Sequence, residues 1–393
     1  MENIKLVSKL PNSGTSVFAR MTELAILHNA INLAQGFPDF LPPEELFTYL
    51  QEAVKSGYNQ YAPMPGLLML REQLALRVYT DYNYSVNVDT EITITAGATQ
   101  AIYTIISSLI GYGDKVLIFE PAYDSYAPSV LINGGIPVYI RLKEPTFEIP
   151  WDEFEECLSG NDVKLIIINN PHNPAGTILS HSDMLKIAKI VEQTNAIIVW
   201  DEVYDMLVYD NKKHSSALLY MELMQRSIVV FSLGKTLHNT GWKLGYIIAN
   251  QEFTKEIRKA HQFTVFSVNT PSQYAVAKFI ENNSNFFTQL GSFYETKRDY
   301  FLNLVSESKL NFLKSPGSYF ILAGYNHLGD KSDEQIAKEI VSTCGVACVP
   351  ISAFYHDGYN PRMLRFCFAK KESTLQEAAH RLQNISERIN FSS

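Results

Sequence analysis

Four short polar stretches in this chain each follow directly on an apolar run, and between them they hold the groups of a reactive site. Gly97-Ala98-Thr99-Gln100 follows ITITA, and Asn170-Pro171-His172-Asn173-Pro174-Ala175-Gly176 follows LIIIN. Asp201-Glu202-Val203-Tyr204 follows AIIVW; Ser232-Leu233-Gly234-Lys235-Thr236 follows IVVF, with Lys243 eight residues beyond Lys235. A lysine amine can condense with a carbonyl, a carboxylate can hold a cation, and an amide with a phenol can hydrogen-bond an oxyanion. Free N–H groups at a helix start can bind a phosphate. Singly, each residue has a plainer use: Asp201 as a turn cap, Asn173 as an Asx-turn before Pro174, Lys235 as a solvated lysine, Ala98-Thr99 as an ordinary helix start. Convergence is what separates the two readings, and that depends on the elements carrying the residues.

Those elements are legible between about 90 and 250. Short β-branched runs at 92–96, 115–119, 137–140, 164–169, 196–200, 227–231 and 244–249 alternate with helical patterns, the mark of βαβ units and a mostly parallel sheet. Several runs are apolar throughout, as strands covered on both faces must be. One helix is predicted from Thr99 to about Leu109, with Ile102, Ile105, Ile106 and Leu109 on its apolar face, and another over about 182–194. In such a sheet ligands bind beyond the carboxyl ends of the strands, which is where all four polar stretches fall.

After residue 285 the pattern changes to a long helix around 287–306, short strands with Gly and Pro turns, and a C-terminal helix that opens with Ser373 and Gln376 in capping-box spacing. The first 45 residues contain no clear βα unit and break at Pro38 and Pro42-Pro43. The expected organisation is a large α/β domain over 46–285 and a smaller α+β domain built from 1–45 and 286–393.

Which phosphate ligand fits is decided by what is missing. Gly111 and Gly113 are a close glycine pair, but they precede a strand and lack a third glycine, so the dinucleotide fingerprint is absent. Gly234-Lys235-Thr236 lacks the upstream glycine of a nucleotide P-loop. A lysine, a buried carboxylate, an amide plus phenol and a phosphate site are the groups that pyridoxal 5'-phosphate requires. Lys235 would condense with its aldehyde, Asp201 would keep its pyridine nitrogen protonated, and Asn173 with Tyr204 would bond its phenolic oxygen. Gly97, Ala98 and Thr99 with Ser232 and Lys243 would take its phosphate.

Here the sequence resembles the class I/II aminotransferases of fold type I over essentially its full length, in AGATQAI, NNPHNPAG, DEVY, SLGKT with the lysine of GWKLGY, and MLRFCF. INLAQGFPDF, NQYAPMPG, TAGATQAIY, YDSYAP, FSVNTP and CFAKKESTL resemble the methionine aminotransferase group, related to kynurenine/glutamine aminotransferases. The resemblance implies that Tyr123 stacks on the cofactor ring, that Gly36 and Asn173 hold the substrate and that Arg365 binds its α-carboxylate. Tyr61 matches a tyrosine that reaches the cofactor phosphate of a neighbouring subunit, which implies a homodimer. The implied reaction is a ping-pong transamination between an amino acid and a 2-oxo acid, with Lys235 as general base and acid.

Arg365 also stands out unaided: it interrupts the apolar run MLRFCF, where an arginine is costly without an anionic partner. That partner is either a ligand carboxylate or an internal Asp or Glu. For Tyr123 and Tyr61 the alternative is aromatic packing. Phe37, Phe266 and Phe354 suggest an apolar pocket for methionine or aromatic side chains. The segment 261–270 contains no arginine, which argues against aspartate as main substrate, and Ser267 stands where kynurenine-type relatives have a histidine. A C–S β-lyase on the same fold would use the same Lys235 and Asp201.

Composition closes off other classes. The net charge is −8 over 393 residues, with no basic patch, so a nucleic-acid partner is not expected. For the same reason, a regulator built on an aminotransferase-like domain lacks its DNA-binding part in the roughly 90 residues before the first sheet strand. No apolar stretch approaches a membrane span and no secretory leader is legible. Four scattered cysteines suit a reducing, cytoplasmic setting, and Cys344 with Cys348 lacks the further ligands of a metal site.

Overall fold

The computed structural model describes residues 7–390, apart from 12, 161 and 384. Seven strands form the central sheet: β1 (Ile92–Thr95), β2 (Lys115–Glu120), β3 (Ile136–Arg141), β4 (Val163–Asn169), β5 (Ile197–Asp201), β6 (Ser227–Ser232) and β7 (Gly245–Ala249). Every apolar run predicted as a strand is one, with ends moved by a single residue at most. Across the sheet the order is β1-β7-β6-β5-β4-β2-β3. Only β7 runs against its neighbours β1 and β6.

The runs are apolar throughout because alternate side chains feed two separate cores. In β4, Ile166 and Ile168 enter one core while Leu165 and Ile167 enter the other; β6 divides Val229 and Phe231 from Ile228 and Val230 in the same way. Each such side chain contributes about 1.5–3 kcal/mol of burial, and a slip of one residue would exchange the two sets between cores of different shape. Helix Ala98–Leu109 covers the second core with Ala101, Ile102, Ile105 and Ile106. Helix His181–Glu192 covers the first with Met184, Ile187 and Val191, and opens on a capping box from Ser180 and Asp183.

A second, antiparallel sheet follows the long helix Ser284–Leu304: β8 (Asn311–Leu313), β9 (Phe320–Gly324), β10 (Val349–Pro350) and β11 (Met363–Cys367), in the order β10-β11-β9-β8. Beside it, Ile31–Asn32 pairs in parallel with Val346–Ala347.

The start of the C-terminal helix differs from the sequence reading. Helix Glu372–Gln383 begins ahead of Ser373, so the Ser373/Gln376 pair lies inside it. The capping carboxylate comes instead from Asp39, which accepts from Lys371 N at 2.5 Å and Thr374 Oγ1 at 2.6 Å. A cap supplied from so far back in the chain has no local spacing signal.

Candidate active site

The carboxyl ends of β1, β4, β5 and β6 lie on one edge of the sheet, and the reversed β7 begins there, which is why Lys243 joins the group. A cavity of about 160 Å³ at that edge is lined by Gly97, Ala98, Thr99, Tyr123, Asn173, Asp201, Tyr204, Ser232, Lys235 and Lys243. Ten of the sequence-predicted residues therefore meet around one space. A larger cavity of about 690 Å³ shares Asn169 and Asn173 with it, but its wall includes Phe119, Leu142, Phe147 and Trp151, and neither Lys235 nor Asp201 lines it. The chemistry is concentrated in the smaller one.

Local structure explains each placement. Gly97 takes φ +81, a conformation that an L side chain resists, and lets the chain turn from β1 into helix Ala98–Leu109. No side chain caps that helix, so its first N–H groups are available to an anion. Lys243 sits beside this turn: a Cβ at Gly97 would lie 3.4 Å from its Nζ. Ser232 caps the single turn Leu233–Thr236 by accepting from Lys235 N at 3.4 Å.

Lys235 is partly buried, and its Nζ donates to Gly36 O at 3.1 Å. Burial pushes its amine down to about 8, with Arg365 and Lys243 adding repulsion against the opposing pull of Cys367 and Asp201. Asp201 is pushed up to about 6, by burial above all; Tyr126 Oη donates to its Oδ2 at 2.5 Å, which offsets part of that rise. Burial likewise raises the Tyr204 phenol.

A chain of hydrogen bonds joins Asp201 to Arg365. Asn169 Nδ2 donates to Asp201 O at 2.8 Å, and Asn169 Oδ1 accepts from Asn173 N at 2.6 Å. Arg365 Nη1 then donates to Asn173 Oδ1 at 2.7 Å, leaving the Nδ2 donor of Asn173 for another partner. Arg365 Nη2 donates to Ala34 O at 2.8 Å, and its guanidinium lies 3.9 Å from the Phe320 ring centre and 5.2 Å from that of Phe354. Its Nε is buried without a partner, and no carboxylate among the described residues pairs with it. The internal ion pair that the sequence left open is therefore not formed.

Gly36 stands at the rim, its carbonyl accepting from Tyr319 Oη at 2.5 Å as well as from Lys235. A Cβ there would come within 2.7 Å of Phe320. Phe37 is exposed, its carbonyl held by Lys370 Nζ at 2.8 Å, and neither it nor the buried Phe354 lines either cavity. Tyr61 and Phe266 are not brought into this cavity. They are 81% and 52% exposed and pack edge-to-face on each other, 5.2 Å between centres.

Three site residues escaped the sequence reading. Asn169 closes its apolar run in register with Asp201, a signal that was present. Tyr126 stands one helical turn after Tyr123; Tyr319 comes from the distant second sheet and had no signal.

The family model for aminotransferase class I and II matches residues 28–382. The chain is similar to the methionine aminotransferase of Escherichia coli K12, 42% identical over 378 residues that cover 96% of this chain and 98% of that one. It is also similar to the kynurenine–oxoglutarate transaminase of Dictyostelium discoideum, 34% identical with 95% of each chain covered. Among solved structures, an Escherichia coli protein with an identified methionine aminotransferase function superposes with a TM-score of 0.94 at 41% identity, covering 97% of this chain and 100% of that one.

Proposed function

Because the chain belongs to the class I and II aminotransferases, we propose that the cavity around Lys235 holds pyridoxal 5'-phosphate and transfers amino groups from methionine or aromatic amino acids to a 2-oxo acid. The fold is that of fold-type I enzymes, and transamination is the family's reaction. The observation that carries the site assignment is a lysine amine lowered to about 8 and a buried carboxyl lining one cavity, whose wall also includes an uncapped helix start.

The residues fit the cofactor. Asp201 is a buried carboxyl that forms no ion pair among the described residues, and a protonated pyridine nitrogen would supply the missing cation. Gly97 to Thr99 with Ser232 and Lys243 would hold the phosphate; Asn173 Nδ2 and the Tyr204 phenol would meet the phenolic oxygen. When bound, the group supplies an electrophilic aldehyde and a pyridinium electron sink.

The chain's own residues do the rest. Arg365, with no acid of its own, takes the α-carboxylate of the amino acid and so orients Cα toward Lys235. Lys235 Nζ would accept the Cα proton as general base and give it back as general acid, and a pKa of about 8 leaves a far larger neutral fraction of this amine near neutral pH than an ordinary lysine has. The first 2-oxo acid leaves before the second enters. Phe354, beside Arg365, offers an apolar wall for the substrate side chain. The methionine aminotransferase from Escherichia coli supports that preference. A panel of amino donors against 2-oxo acceptors tests the reading. Oxo-acid-dependent turnover is expected; pyruvate and thiol release without an acceptor would make the protein a β-lyase.

Arg365→Lys keeps the charge but loses the two-pronged geometry, so kcat/KM should fall for every donor and acceptor alike, by about 1.5–3 kcal/mol. Selective loss of methionine alone would move Arg365 to the side-chain pocket.

The exposed Tyr61 and Phe266, with Phe263 87% exposed nearby in sequence, support a second copy of the chain covering this face, with Tyr61 reaching the partner's phosphate site. Sedimentation should give twice the chain mass; a monomer that retains full activity would remove Tyr61 from the site. Among the described residues no helix is long and apolar enough to cross a membrane. The four free thiols fit a cytoplasmic setting.

A further inference from the structure

At the end of β2, the carboxylate of Glu120 is 3% exposed, and both its oxygens are taken by one residue from the far end of the chain. His356 N donates to Oε1 at 2.6 Å, and His356 Nδ1 lies 2.9 Å from Oε2. The imidazole is stacked flat on Tyr139 of β3, with 4.0 Å between ring centres and planes 4° apart. Two residues along on each side, Ala122 N donates to Phe354 O at 2.8 Å. The short segments 120–122 and 354–356 are thus stitched together by three hydrogen bonds. The charged neighbours are Arg141 and Asp357, which pair with each other at 2.8 Å.

What lies at the two ends of this stitch gives it a purpose. Tyr123, next after Ala122, lines the cofactor cavity and shares a hydrogen bond with Thr99 at 3.3 Å. Phe354 faces the guanidinium of Arg365. The stitch therefore spans the central sheet, where the amine and the carboxyl sit, and the second sheet, where the carboxylate-binding arginine sits. Burying a carboxylate at a strand end is costly without strong donors, and burial raises Glu120 while His356 opposes that rise.

We propose that Glu120 and His356 are a positioning pair, a latch that sets the separation of Tyr123 from Phe354 and Arg365 and thereby the fit of the amino-acid substrate. The inference rests on the functional reading above, in which Arg365 and Phe354 meet the substrate. Neither latch residue touches the reacting atoms, so the latch acts on substrate capture more than on proton transfer.

Three variants of the purified protein test it. His356→Ala removes the ring and its donor but keeps the backbone N–H; His356→Asn keeps a donor near the Nδ1 position; Glu120→Gln removes the charge. His356→Ala should raise KM for amino donors roughly tenfold, the scale of one charge-assisted hydrogen bond, with kcat changed less than about threefold. His356→Asn should recover most of that loss, and Glu120→Gln should fall between. Hydrogen exchange provides a reading independent of turnover: the amides of Ala122 and His356 should lose protection in His356→Ala and regain it in His356→Asn. Faster exchange with KM unchanged would reduce the pair to a structural contact and overturn the proposal, as would an equal fall in kcat that asparagine does not rescue. A wild-type protein inactive across the whole donor panel would overturn the functional reading itself and the latch's part in substrate recognition with it, whatever the exchange pattern.

Discussion

Lys235→Ala removes turnover by roughly 10^4- to 10^6-fold, the scale on which enzymes lose activity when the group that makes and breaks bonds is deleted. No neighbour can substitute. Lys243 stands beside the Gly97 turn, where its charge suits a phosphate, and Arg365 stays protonated even though burial lowers it to about 10. The fold should survive, because Gly36 O keeps its bond from Tyr319 and a partly buried amine has been exchanged for a methyl group. The variant should melt as cooperatively as the parent while losing the visible absorbance of the bound cofactor. Retention of both turnover and absorbance would end the assignment.

Asp201→Asn should lower turnover by roughly 10^2- to 10^4-fold, the range of a proton-transfer contribution, since a neutral amide no longer favours a protonated pyridine. The same substitution has a second, opposite effect on stability. In protein stripped of cofactor the carboxyl is raised from 3.8 to about 6, so the folded state binds this proton more tightly than the unfolded state does. Its contribution is present in full below pH 3.8 and is lost as pH rises through 6. By pH 7.5 the ionised, buried carboxylate costs about 3 kcal/mol relative to its protonated form. The stripped Asn variant, in which Tyr126 can still donate to the amide oxygen, should melt above stripped wild type at pH 7.5, and the gap should close toward pH 4. A gap independent of pH would mean that Asp201 is not the titrating group.

How much of this was legible beforehand follows from which contacts are local. The central sheet was readable because β2, β4, β5, β6 and β7 bury both faces, which forces uninterrupted apolar runs. The catalytic edge was readable because polar residues cluster just past those runs, and Arg365 because a charge inside a strand demands a reason. The unread parts are bonds between distant segments. Lys235 to Gly36 spans 199 residues and Tyr319 to Gly36 spans 283, and nothing in the spacing of either residue announces its partner. Ser373 and Gln376 had the right spacing for a cap and lost to Asp39, a carboxylate delivered by tertiary packing.

The pairing of Ile31–Asn32 with Val346–Ala347 bears on how the molecule is made. A ribosome adding about 5–20 residues per second needs tens of seconds to travel between those two segments. By then all seven strands between Ile92 and Ala249 have emerged and can close with their own helices. The early segment has to wait for its partner strand, holding Leu33 and Ala34, both fully buried in the finished molecule, without their final neighbours. Gly36 waits with it, so the amine of Lys235 gains its acceptor only when the last quarter of the chain arrives. Until then the apolar side chains of this stretch lack the cover that keeps them from sticking to other chains.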